Sequence, residues 1–292
     1  LSQLEHFRSR YGSQVAGSAS LFRCDIQIST LLLLTLGYII LVDAYSSGPG
    51  TARRSRDLIH SLGLPTRTRG ALGAKRVLLV IAHPDDECMF FGPTIFRLCE
   101  QGAEVYILCL SDGNFEGKGK IRRQELWDAC HELGVPDRNI CLVTDTRLPD
   151  SPKAHWPAPI IAKLIHHNVE AYDIDTLVTF DRGGASSHPN HSAVFYAVAY
   201  MFVEKMMPQK CAVYTLDSVN ILRKYFGFLD LFFSRYFLRW TESRRIARAM
   251  KRHKSQMVWF RHLYLLFSRY VIINTLRKIN LADIELELEV DD

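Results

Sequence analysis

A chain of 292 residues has room for one sizeable domain with additions or for two small ones, and its 48% apolar content suits a packed core. The formal net charge of +5 is mild but uneven: residues 223–261 carry eleven Lys or Arg against two acids, while residues 281–292 carry six acids and no base. The basic stretch holds no nucleic-acid-binding module pattern, and seven cysteines without a CxxC pair argue for reduced, buried thiols rather than a disulfide framework.

Residues 1–25 read as an N-terminal tail. Residues 26–42, "IQISTLLLLTLGYIILV", run 17 positions without a charge between Asp25 and Asp43. That length is the short end of a transmembrane helix; a signal-peptide core or a buried helix are the alternatives. Arg8, Arg10 and Arg23 precede the run, and Arg53, Arg54, Arg56, Arg67 and Arg69 follow it, a bias that puts the larger C-terminal part in the cytosol. Residues 43–75, rich in Ser, Gly, Arg and Thr, read as a linker.

From Arg76 the pattern becomes regular. "RVLLVIA", "EVYILCLS", "ICLVT", "DTLVTF" and "CAVYTLD" read as five strands, separated by helical stretches such as "GPTIFRLCEQG", "APIIAKLIHHNV" and "HSAVFYAVAYMFVEKM". In "KIRRQELWDACHELGV" the expected apolar face is Ile121, Leu126, Ala129 and Leu133. Such alternation implies an α/β domain over residues 76–217, a Rossmann-like three-layer arrangement with a mainly parallel sheet. Ligands bind such sheets beyond the carboxyl ends of the strands.

The first strand ends in "AHPDDECMFF". A histidine and three carboxylates against a buried strand are costly unless paired or bound to a metal. The turn lacks the GxGxxG loop of dinucleotide-binding folds. Its His83 and Asp86, three apart, have the spacing to meet one ion. The fourth strand runs into "FDRGGASSHPNH", where His188 and His191 open a helix on a shared face. HxxH alone is a weak signal. Opposite HPDDE, at another strand end, it becomes a metal-site constellation with an open position for water. Glu87 is expected to support this turn or cap the following helix, and Cys88 to pack.

"AHPDDE" followed about a hundred residues later by "HPNH", with "SDGN", "RRQELWDACHELGVP" and "VTFDRGG" between them, resembles the LmbE-like zinc de-N-acetylase family. "HPDDECMFFGPTI", "SVNILRKY" and "SQMVWFRHLYLLFSRY" are most similar to its eukaryotic branch. That branch acts on the glycolipid N-acetylglucosaminyl-phosphatidylinositol at the endoplasmic reticulum membrane, in the second step of glycosylphosphatidylinositol-anchor synthesis. The resemblance implies one zinc ion held by His83, Asp86 and His191. It implies Asp85 as general base, His188 as the histidine assisting at the tetrahedral intermediate, and Arg122 and Asp145 as sugar- or inositol-contacting groups. Asn190 stands where many bacterial members carry Asp.

Residues 218–280 form a basic, aromatic, helical extension in which "LDLFFSRYFLRW" and "SQMVWFRHLYLLFSRYVII" interleave rings with arginines. This composition suits a helix lying on an anionic leaflet; a basic helix packed on the sheet domain is the alternative. Residues 281–292 are an acidic tail in which "IELELEV" reads as an edge strand or a disordered segment. Three functions compete: a zinc amidase for a membrane glycolipid, a zinc de-N-acetylase for a soluble amino-sugar conjugate, and a non-catalytic interaction protein on an enzyme fold. The uncharged run and basic aromatic C-terminus favour the first over the second. The intact set His83, Asp85, Asp86, His188 and His191 disfavours the third.

Overall fold

The computed structural model describes residues 74–225 and 240–289. The expected membrane span, the tail before it and nearly all of the linker lie outside these residues. Among the described residues no helix is long and apolar enough to cross a membrane.

Six strands form one sheet: β1 (Arg76–Ile81), β2 (Glu104–Cys109), β3 (Ile140–Leu142), β4 (Thr176–Phe180), β5 (Ala212–Leu216) and β6 (Leu276–Ile279). Their order is β3-β2-β1-β4-β5-β6, parallel throughout except for the antiparallel β5–β6 pair. The helices are α1 (Asp86–Met89), α2 (Gly92–Glu100), α3 (Gly119–Leu133), α4 (Ala158–Ala171), α5 (Pro189–Val203), α6 (Ile221–Tyr225), α7 (Trp240–Met250), α8 (Trp259–Phe267) and α9 (Leu281–Glu289).

β1 explains the layering. Its side chains alternate between faces, and both faces are buried. Val77, Leu79 and Ile81 join a core with Ile95, Leu126, Ala129, Ile246 and Tyr270. Leu78 and Val80 join a second core with Ile161, Ile165, Val194 and Val198. Helices α2, α3 and α7 cover one face, and α4 and α5 cover the other. The expected three-layer, mainly parallel domain is present.

Three features depart from the sequence reading. Ile121 is 56% exposed although Leu126, Ala129 and Leu133 are buried, because it is five residues before Leu126 and so about 140° round the helix from it, while Gly119 and Arg122 start the buried face. The C-terminal extension contributes α7 to one layer and β6 to the sheet, so the compact unit does not stop at residue 217. The acidic tail is neither edge strand nor disordered through Glu289: it forms α9. The Asn280 N–H bonds Asp283 Oδ2 and the Asp283 N–H bonds Asn280 Oδ1, a reciprocal cap that starts a helix. β6 already occupies the edge beside β5, so "IELELEV" buries Ile284 instead of pairing.

Sheet order reverses between β1 and β4, and the crevice beyond this switch point is where parallel sheets bind ligands. Both motif-bearing turns leave from there.

Candidate active site

The turn after β1 is held by its own carboxylates. Asp86 Oδ2 accepts the N–H groups of Ala82 (3.1 Å) and His83 (2.9 Å), and Glu87 Oε2 accepts the Asp85 N–H (3.0 Å). Arg122 Nη2 donates to Pro84 O at 2.6 Å. Asp85 has φ 111°, a region that costs a non-glycine residue about 1–3 kcal/mol and persists only when its surroundings over-determine it. The consequence is that adjacent aspartates point apart. Asp86 Oδ1 lies 3.2 Å from His191 Nε2, whereas Asp85 Oδ2 lies 2.9 Å from Arg261 and 3.7 Å from Arg122.

The turn after β4 supplies the histidines. Pro189 begins α5 with its φ already helical and keeps His188 extended at the N-cap. His188 Nδ1 accepts the Asn190 N–H at 3.3 Å, which leaves the ring proton of the neutral tautomer on Nε2. His191 Nδ1 donates to Gly184 O at 2.9 Å, and its ring stacks on Phe180 at 4.2 Å with an interplanar angle of 1°. Gly184 (φ +59°) is required here, since a Cβ would lie 2.9 Å from His191 Cβ.

His83, His188 and His191 each offer a ligand nitrogen within 4.8 Å of the other two. With Nδ1 committed to a carbonyl, Nε2 of a neutral His191 turns a lone pair toward a carboxylate oxygen. A proton or a metal cation must lie between them. Their 3.2 Å separation matches the edge of about 3.3 Å expected for tetrahedral zinc with bonds of about 2.0 Å. His83, His188 and Asp86 also have the protonation states a metal needs. Burial pushes His83 down to about 3 and lowers His188, leaving neutral imidazoles. Burial works against the charge on Asp86, but His191 outweighs it and holds the carboxyl ionised. Burial disfavours a charged His191 too, but Asp86 overrides it and raises the pKa, so a proton sits between the two and a metal would have to displace it. Asp85 differs: burial raises it, only partly opposed by Arg261 and Arg122.

The predicted His83, Asp85, Asp86, His188 and His191 therefore converge. Arg122 reaches the site but is engaged by protein, with Gly113 O at 2.9 Å and Asp150 at 3.3 Å besides Pro84. Arg123 stays on the solvated side, over the Trp127 ring. Asp145 is held by Arg147 at 2.6 Å. Glu87 supports the turn as expected, and Cys88 packs with its thiol on Glu87 Oε1.

Sequence reasoning assigned no role to four participants. Asp150, after β3, lies 3.2 Å from His83 Nε2, and Asn190 Nδ2 lies 2.9 Å from the same atom. Arg261 meets Asp85. His253 Nε2 contacts Glu87 Oε1 at 2.5 Å, with both side chains wholly buried. Asp150, in the loop that follows β3, carried a weak positional signal; His253 and Arg261 lay in a stretch that read as a basic helix on a lipid surface or packed on the sheet domain.

The family model for PIG-L, GlcNAc-PI de-N-acetylase, matches residues 78–202. The N-acetylglucosaminyl-phosphatidylinositol de-N-acetylase of Bos taurus is 44% identical over 211 residues, 70% of this chain and 83% of that protein. The probable enzyme of that name from Schizosaccharomyces pombe is 42% identical, over 71% of this chain and 88% of that protein. Among solved structures, N,N'-diacetylchitobiose deacetylase from Pyrococcus horikoshii aligns with a TM-score of 0.54 at 18% identity. That alignment covers 79% of this chain and 93% of the other, and shows a shared fold.

Proposed function

Since the chain belongs to the PIG-L, GlcNAc-PI de-N-acetylase family and is a deacetylase, we propose that it removes the N-acetyl group of N-acetylglucosaminyl-phosphatidylinositol with one zinc ion. The products are acetate and glucosaminyl-phosphatidylinositol, the second step of glycosylphosphatidylinositol-anchor synthesis. The observation that supports this reading is the division of labour between Asp85 and Asp86: Asp86 joins the histidines, and Asp85 turns away from them to pair with Arg261 beside Arg122.

His83, Asp86 and His191 would hold the ion. When bound, zinc supplies a Lewis acid and brings the pKa of water to about 7. Asp85 Oδ2 is ion-paired with Arg261 but accepts no hydrogen bond, so a lone pair remains to take the proton of the attacking water. The water oxygen bonds to the acetyl carbon, the C–N bond breaks, and that proton goes to the departing amine. His188 Nε2–H faces the developing oxyanion and donates to it. Arg122 positions the Pro84–Asp85 turn, and Asp150 and Asn190 orient His83. Direct substrate contact by Arg122 or Asp145 has weaker support, given their existing partners.

We further propose an endoplasmic-reticulum location, with residues 26–42 as an anchor and the catalytic unit cytoplasmic, on the uncharged run and the arginines after it. The surface of α8 supports contact with lipid: Trp259 is 74%, Phe260 52% and Leu263 46% exposed. Interfacial helices present such faces. Arg245 and Arg248 of α7, by contrast, are bonded to Glu132.

The test is deacetylation of lipid-linked substrate against a soluble N-acetylglucosamine conjugate, with protease digestion of sealed microsomes. Preference for the lipid-linked substrate and external cleavage of the catalytic unit are expected. A faster reaction on the soluble conjugate would refute the substrate assignment, and protection from protease would refute the orientation.

A further inference from the structure

Two cations flank the histidine cluster: Arg261, whose one carboxylate is shared with Arg122, and Lys224, which has none among the described residues. Arg261, in α8, places Nη2 2.9 Å from Asp85 Oδ2, but Asp85 is shared with Arg122 and proposed above as the base. Arg261 Nη1 is buried and has no hydrogen-bond partner. Such a donor is costly to leave unmade. Lys224, in α6, lies half-buried among rings: Nζ is 5.6 Å from the Tyr264 ring centroid, 5.8 Å from Tyr225, and 5.9 Å from Phe90 and Tyr270. Among the described residues no carboxylate pairs with it.

The two cations share one wall of the site. Arg261 and Tyr264 are three residues apart on α8 and so lie on one face, and Tyr264 is the ring nearest Lys224. Phe90, another of those rings, meets His191 edge-on at 5.5 Å. Burial, with repulsion from Arg261, lowers the Lys224 pKa. Two neighbouring cations, one with an unused buried donor and the other held only by aromatic faces, form a receptor that lacks its anion.

We propose that Arg261 and Lys224 bind the phosphodiester of the substrate, which rests on the reading that the substrate is a phosphoinositide glycolipid. The phosphodiester carries one negative charge and two non-bridging oxygens. Arg261 Nη1 donates to one and the Lys224 ammonium to the other, as charge-assisted hydrogen bonds. Both residues belong to the C-terminal extension. They are specificity-determining residues: they recognise the inositol-phosphate end while the histidine cluster treats the acetamide. A phosphodiester also occurs in bulk phospholipid headgroups, and the experiment separates these sources.

Binding of glycerophosphoinositol to the zinc-loaded full chain is measured by calorimetry for wild type, Lys224→Met and Arg261→Lys, with inositol as the phosphate-free control. Loss of one charge-assisted contact predicts at least about 10-fold weaker binding for Lys224→Met. Arg261→Lys, which keeps the charge but loses the fork, is expected to fall between. The ratio of kcat/KM on N-acetylglucosaminyl-phosphatidylinositol to that on phosphate-free N-acetylglucosaminyl-inositol should drop by a similar factor in Lys224→Met, through KM. Equal glycerophosphoinositol binding by wild type and by correctly folded Lys224→Met would overturn the proposal. So would a variant that loses adhesion to phosphatidylinositol vesicles but keeps the soluble ligand, since the cations would then serve the bulk headgroups. Failure of the functional reading looks different: wild type would turn over neither substrate, whatever its glycerophosphoinositol affinity.

Discussion

Replacing His253 tests how firmly the C-terminal extension holds the catalytic turn. His253 and Glu87 are 2.5 Å apart, and neither side chain has any solvent exposure. Glu87 also receives the Asp85 N–H and the Cys88 thiol, but no other cation contacts it among the described residues. In His253→Gln a neutral amide replaces the cation, leaving a carboxylate in the core without a counter-charge. Breaking a buried pair from one side costs about 3–5 kcal/mol. At about 2–4 °C per kcal/mol for a domain of this size, the melting temperature should fall by about 6–20 °C. Adding Glu87→Gln removes the stranded charge, and the double variant should recover most of the loss. The pH dependence has a definite sign. Burial disfavours the charged His253, yet Glu87 prevails and its pKa is raised. The pair's stabilisation is therefore complete below the unfolded value of about 6.5 and fades as pH rises through the folded one. The deficit of His253→Gln should be largest near pH 6 and smaller under alkaline conditions. Thermal unfolding by circular dichroism reads all of this. A single variant within 2–4 °C of wild type at pH 6, or a double variant no better than the single, would refute the argument.

Asp86→Asn should lose much of its zinc, since a neutral amide is a poor ligand, whereas Asp85→Asn should keep its zinc and lose about 10²–10⁴-fold in rate; elemental analysis and deacetylase rate on the same preparations decide, and the opposite pattern would exchange the two roles. Gly184→Ala forces a Cβ to within 2.9 Å of His191 Cβ at a positive φ, so its zinc affinity should fall about 10–100-fold, measured by competition with a chromophoric chelator; unaltered affinity would remove Gly184 from the account. Trp259→Ser with Phe260→Ser deletes the most exposed rings of α8, and vesicle flotation of a chain lacking residues 1–43 should show binding weakened by about 10-fold or more; equal binding would sink the lipid-facing reading.

What could be read from the sequence divides by distance along the chain. His83, Asp85 and Asp86 sit in one turn, and His188 and His191 in another, so each motif is local and strand order brings them together. The opposite directions of Asp85 and Asp86 depend on a φ of 111° that no residue pattern announces. Arg122 shared a helix with solvent-facing Arg123, and only the packing of α3 against the turn reveals that it serves Pro84 and Gly113. His253 and Arg261 lie about 170 residues from the groups they touch. In the sequence they belonged to a positively charged segment whose mean character hid two buried contacts. The helix at 281–289 had a local signal, the Asn280–Asp283 cap, which the i, i+2 alternation obscured.

The central claim is metal-dependent hydrolysis of the glycolipid amide at the His83–Asp86–His191 cluster. Its most direct test is the rate of acetate release from N-acetylglucosaminyl-phosphatidylinositol by purified protein, stripped with a chelator and titrated back with zinc. The account predicts that activity disappears on stripping and returns in full at one zinc per chain. Turnover that persists in protein verified to be metal-free would contradict it.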